Sequence, residues 1–178
     1  MRALSWFDRP IAAPELWLCL HMNRYGARRA IRGGFALVSR LGDGVFWYTL
    51  MAALPLLDGW AGLLASLHLA VIGLIALGLY RGLKQRMRRP RPFAQYRAIV
   101  AYVAPLDEFS FPSGHTLHAV SFSLVATYHY PALLWVLWPF AVLVGLSRVV
   151  LGLHYPSDVL AATVIGAVLA QGSIAILG

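Results

Sequence analysis

The chain has 178 residues, 60% hydrophobic and 12% charged, with a mean hydropathy of +0.68, well above the roughly 45–50% apolar content of a soluble domain, which excludes an ordinary water-soluble enzyme. Its net charge of +8 comes from 15 basic and 7 acidic residues, most of them between apolar runs. So little extramembrane mass leaves no room for a base-reading module, and the charge therefore points to phosphate or anionic headgroups and not to nucleic acid.

Residues 1–43 mix apolar and basic character. The run 11–22, interrupted by Pro14 and Glu15, reads as an interfacial helix or a short first span. Arg24, Arg28, Arg29 and Arg32 then follow at helical spacing, as a basic face lying on headgroups. A turn at Gly42-Asp43-Gly44 is expected to open a span over 45–57, and Asp58-Gly59 to reverse the chain into a second span over 60–80. Residues 81–111 hold seven basic and two acidic residues and cannot be buried in lipid. Three more spans are predicted over 114–128, 131–151 and 156–177, with Gly145, Gly152, Gly166 and Gly172 allowing close helix approach. Cys19 is the single cysteine, so no internal disulfide or cysteine-rich metal site can form. The expected architecture is all-α, one polytopic domain over 1–178 with five to six transmembrane helices. The loop 81–111 and the turn 148–156 fall on one face, because two spans separate them.

Four clusters meet on that face. Lys84 and Arg91-Pro92 lie in the basic run. Ser113-Gly114-His115 open an apolar helix, where unpaired N–H groups favour an anion, although an ordinary helix cap explains the serine equally. Ser147-Arg148 end a span. His154 and Asp158 flank a helix start at Pro156, close enough for the carboxylate to fix the imidazole's tautomer and leave one nitrogen free to attack. A phosphate needs cations for its non-bridging oxygens, a nucleophile and an acid for the leaving oxygen, and this set supplies all three.

Lys84-(six residues)-Arg91-Pro92, Pro112-Ser113-Gly114-His115 and Ser147-Arg148-(five residues)-His154-(three residues)-Asp158 together resemble the three-part signature of the type 2 phosphatidic acid phosphatases. The resemblance implies that His154 attacks phosphorus, that Asp158 orients it, and that His115 protonates the leaving oxygen and then activates water. It assigns Lys84, Arg91, Ser113, Gly114 and Arg148 to the phosphate oxygens and needs no metal or other cofactor. The implied substrates are lipid phosphates: undecaprenyl pyrophosphate or phosphatidylglycerophosphate first, then phosphatidate or lipid A phosphate. The implied partners are that lipid and the bilayer, with no obligatory protein partner.

Three rivals remain at the level of sequence. A zinc hydrolase built on His115, His118, His154 and Asp158 leaves the three cations without a role. A phosphotransferase uses the same site with a lipid acceptor, and a non-enzymatic lipid-phosphate carrier does not need the histidines. His68, within a span, reads as an interhelical hydrogen bonder. The basic loop favours a cytoplasmic catalytic face, whereas the resemblance implies the periplasmic face of a bacterial inner membrane.

Overall fold

The computed structural model describes residues 12–177; the expectations for residues 1–11 lie outside the described residues. Helix α1, Ala13–Tyr25, carries Pro14 in its first turn, where a missing N–H is harmless. At 13 residues it is too short to cross a hydrocarbon core of about 30 Å. Instead, its buried Cys19 joins Ile99 and Tyr155 in a small core of its own.

Helix α2, Arg29–Arg40, runs through one widened π turn, Leu41–Val45, into α3, Phe46–Met87, and the one-turn α4, Pro92–Gln95, follows in the loop beyond it. The turn expected at Gly42-Asp43-Gly44 is therefore a break in a continuing helix and not a reversal, with Gly44 at φ +122°. The bent helix lies along α6, Leu134–Val150: Arg148 reaches Ser39, Gly42 abuts Val144, and Phe46 meets Phe140 with ring centroids 4.3 Å apart. The first crossing segment accordingly starts upstream of the expected residue 45.

Asp58-Gly59 does reverse the chain, with Gly59 at φ +52°. The two arms of α3, 46–57 and 60–87, form a tight hairpin in which Ser66 Oγ donates to the Met51 carbonyl at 2.7 Å. Trp47, Leu69, Ile72, Phe122, Leu137 and Val144 fill the main core between these arms, α5 (Gly114–His129) and α6.

Helix α5 is central, packing on α3, α6 and α7 (Pro156–Leu177). Its buried hydroxyls are satisfied by carbonyls, Ser121 donating within the helix to Leu117 at 2.7 Å and Ser123 across to Leu137 of α6 at 3.3 Å. Gly166 lies against the Leu117 carbonyl and Gly145 against Val159, as their expected role requires. Gly152 serves a loop at φ +76°, whereas Gly172 faces open space and mediates no helix contact among the described residues. At the end remote from the loop 88–113, His68 bonds His129 and Ser173, each at 3.0 Å, tying α3, α5 and α7 together.

Leu56, Leu57, Trp60, Trp135, Leu160 and Val168 point outward, each more than two-thirds exposed, an arrangement only lipid makes favourable. Three of the described helices are long and apolar enough to cross a membrane, the first of them merging both arms of α3. The protein is multi-pass. The reversal at Asp58-Gly59 makes the first of these stretches two antiparallel arms, and α1, at 13 residues, is not among the three.

Candidate active site

Five local structures converge at one end of the bundle: the α3 C-terminus, the folded loop 88–113, the α5 N-terminus, the α6 C-terminus and the turn into α7. The loop is not open chain. Ser110 N donates to the Arg89 carbonyl at 2.9 Å and its hydroxyl to the Pro90 carbonyl at 3.1 Å, folding 107–111 back along 89–91. A cavity of about 760 Å³ opens there, and Lys84, Arg91, Gly114, His115, Arg148 and His154 all line it.

His154 is 2% exposed. Burial first, then the Arg148, Arg91 and Lys84 charges, push its imidazole well below the ordinary histidine range, outweighing the opposing Asp107 carboxylate. Arg91 Nη1 donates to the Leu153 carbonyl at 2.8 Å and lies 3.3 Å from His154 Nε2, so Nε2 presents its lone pair toward the cations. His154 Nδ1 faces Asp158 Oδ2 at 3.6 Å, beyond hydrogen-bond length, and has no hydrogen-bond partner among the described residues.

The pair is juxtaposed but open, because Asp158 is committed elsewhere: Oδ1 accepts from Arg89 Nη1 at 2.6 Å and Oδ2 from Tyr155 N at 2.9 Å. Arg89 also sits over the Tyr155 ring at 4.0 Å and reaches Ser157 Oγ at 2.7 Å. Glu15 of α1 completes this network, accepting from Ser157 N at 3.0 Å, from the Ser157 hydroxyl, and from Arg89 at 3.5 Å.

Ser113 is fully buried as the α5 N-cap, its hydroxyl 2.9 Å from Thr116 Oγ1, and it does not line the cavity. The cap explanation accounts for its side chain, leaving the Gly114 backbone and His115 at the cavity wall. His118 also lines the cavity, but its ring is turned to the Gly114 and Gly73 carbonyls at 2.9 and 3.3 Å. Among the described residues no group of three His, Cys, Asp or Glu side chains is arranged to hold a metal.

Two further carboxylates belong to the site although sequence reasoning missed them. Asp107 accepts from Lys84 Nζ at 2.6 and 2.7 Å and from Arg91 Nη2 at 2.8 Å, occupying both signature cations. Burial alone raises its carboxyl, but the bonds and charges of Lys84 and Arg91 outweigh that and hold it below the usual range. Asp43 Oδ1 lies 3.4 Å from His115 Nε2. The available signal for Asp107 is an acid inside a basic loop, and for Asp43 an acid between two glycines.

The family model described as the PAP2 superfamily matches residues 59–177. Among curated relatives, undecaprenyl-diphosphatase BcrC of Bacillus subtilis is 34% identical over 80 residues, covering 45% of this chain and 41% of that protein. An undecaprenyl-diphosphatase of Sulfolobus acidocaldarius is 27% identical over 153 residues, covering 85% and 72%. Phosphatidylglycerophosphatase B of Bacillus subtilis is 35% identical, covering 75% of this chain and 62% of its own length. The chain thus aligns with less than two thirds of two of these three relatives. In fold it resembles a transmembrane PAP2-type phosphatidylglycerolphosphate phosphatase from Bacillus subtilis, with a TM-score of 0.75 at 24% identity over 92% of this chain and 84% of that one. It also resembles Aquifex aeolicus LpxE, with a TM-score of 0.75 at 22% identity over 96% and 99%.

Proposed function

This chain belongs to the PAP2 superfamily, and on that premise we propose that it hydrolyses a membrane lipid phosphate or pyrophosphate through a phosphohistidine on His154. The observation that carries the reading is a neutral, buried imidazole whose Nε2 faces Arg91 at 3.3 Å in a cavity also lined by Lys84 and Arg148. The nucleophile's lone pair and the charges that neutralise phosphate are thereby held together before substrate arrives. His115, at the same cavity wall as the Gly114 backbone, is the acid–base partner. Lys84, Arg91, Arg148 and the Gly114 backbone take the phosphate oxygens.

The same cavity continues away from the cations between the arms of α3 and α5, along Trp47, Met51, Leu69, Ala70 and Leu74. An apolar groove running on from a phosphate pocket suits a substrate whose tail stays in lipid. The relatives named as undecaprenyl-diphosphatases and as phosphatidylglycerophosphatase support undecaprenyl pyrophosphate and phosphatidylglycerophosphate as the first substrates to try, followed by phosphatidate and lipid A phosphate. We place the enzyme in a bacterial inner membrane with the site on the periplasmic face.

The test is phosphate release by the purified protein in detergent with EDTA present, comparing the parent with His154→Ala on these lipids. Release that survives EDTA and disappears in His154→Ala is expected. Activity lost in EDTA and restored by zinc would overturn the metal-free mechanism, and phosphate passed to a second lipid without free phosphate would make the protein a transferase. For orientation, single cysteines placed over 93–110 in a Cys19→Ala background are expected to react with an impermeant reagent in intact cells; labelling only after permeabilisation would reverse the assignment.

A further inference from the structure

Asp43 has no counterpart in the three-part signature. It stands in the break between α2 and α3, where the helix widens and Gly44 takes φ +122°, a conformation side chains rarely adopt. Gly42 is equally constrained, since a Cβ there would lie 2.9 Å from Val144. Helix distortions of this kind concentrate at functional sites. This one turns a carboxylate into the cavity, 3.4 Å from His115 Nε2, and among the described residues it is the one carboxylate in ion-pair range of that ring. Charged and titratable groups that act on His115 include Arg148 from α6, His154 from the turn before α7, His118 on its own helix and Lys84 from α3.

We propose that Asp43 is the positioning residue of His115, making a second carboxylate–histidine pair across the cavity from Asp158 and His154. The inference rests on the phosphatase reading above. With Nε2 turned to Asp43, Nδ1 is the nitrogen left for the substrate. In the first step the His154 Nε2 lone pair forms the P–N bond, the P–O bond to the lipid breaks, and the proton on His115 Nδ1 passes to the leaving oxygen. In the second step a water oxygen forms a new P–O bond, the P–N bond breaks with its electron pair returning to His154, and the water's proton passes to His115 Nδ1. Asp43 orients the ring throughout and balances the imidazolium that must exist before the first step and after the second.

The test compares kcat/KM of the full chain in detergent on two phosphomonoesters: an alkyl phosphate, whose alkoxide needs a proton as it leaves, and a nitrophenyl phosphate carrying an alkyl tail of equal length, which leaves without one. Asp43→Asn is expected to lose roughly a hundredfold on the alkyl ester, the scale of general acid catalysis, and less than about threefold on the nitrophenyl ester. The ratio of the two rates does not depend on how much of a preparation is folded, so partial misfolding cannot imitate this result. Asp43→Glu, which keeps the charge, is expected to restore most of the parent's ratio, and Asp43→Asn is expected to add little in a His115→Gln background. Equal losses on both esters, or a full additional loss in the double variant, would overturn the proposal. Failure of the parent to release phosphate from either ester would instead overturn the phosphatase reading.

Discussion

On the proposed phosphatase reading, Asp107 is the group that a substrate phosphate has to displace. Its carboxylate spans Lys84 and Arg91 at 2.6–2.8 Å, and its side chain is 39% exposed. Replacing it by Asn removes a competing charge while keeping its shape. Allowing for solvent screening, the gain is about 1 kcal/mol, so inorganic phosphate should inhibit Asp107→Asn roughly fivefold more tightly. Weaker inhibition would show that Asp107 instead props the cations in place. At His154, burial and the surrounding cations hold the imidazole well below 6.5, so it should stay neutral as pH falls through that value and become protonated only further down. Histidine ¹⁵N spectra recorded in detergent, with His154→Ala for assignment, check this directly; a resonance titrating at or above 6.5 would contradict it.

The elements are tied to one another through the site. Glu15 binds α1 to the first turn of α7, where a carboxylate also complements the helix dipole. Glu15→Ala should lower stability by about 1–2 kcal/mol, read as a drop in melting temperature in detergent, with a fall in kcat as Arg89 loses one of its holds. Arg89→Met strands Asp158, whose side chain is fully buried, and breaking such a pair costs about 3–5 kcal/mol. A melting temperature close to the parent's would show that the pair carries little. Within α3, the hairpin depends on Gly62, where a Cβ would meet the Leu54 carbonyl at 2.0 Å.

Across the whole molecule, charged and apolar residues line one cavity, and on the proposed reading a single lipid presents its phosphate to His154 there while its tail remains between helices. Ala70→Phe narrows the groove far from the cations. It should raise KM for a long-chain substrate by roughly thirtyfold, the equivalent of two to three methylenes at about 0.8 kcal/mol each, and leave a short-chain ester nearly unchanged. Equal effects on both would place the tail elsewhere.

Helical membrane character, the apolar helices over 60–80, 131–151 and 156–177, and the meeting of most signature residues at one end are legible in the sequence, because apolar run length and breaker residues are local properties. The reversal at Asp58-Gly59 and the helix start at Pro156 are legible for the same reason. Gly42-Asp43-Gly44 reads as a turn in sequence but is a helix break in the fold: glycine permits both a reversal and a distortion, and only packing against α6 selects between them. Three features of the site exist only once the helices have packed. Arg89 draws Asp158 away from His154, Asp107 sits on Lys84 and Arg91, and Glu15 reaches across from α1. Each of these joins groups distant in sequence or chooses among competing polar partners, and in a low-dielectric interior that choice belongs to whichever donor the packed helices bring within reach.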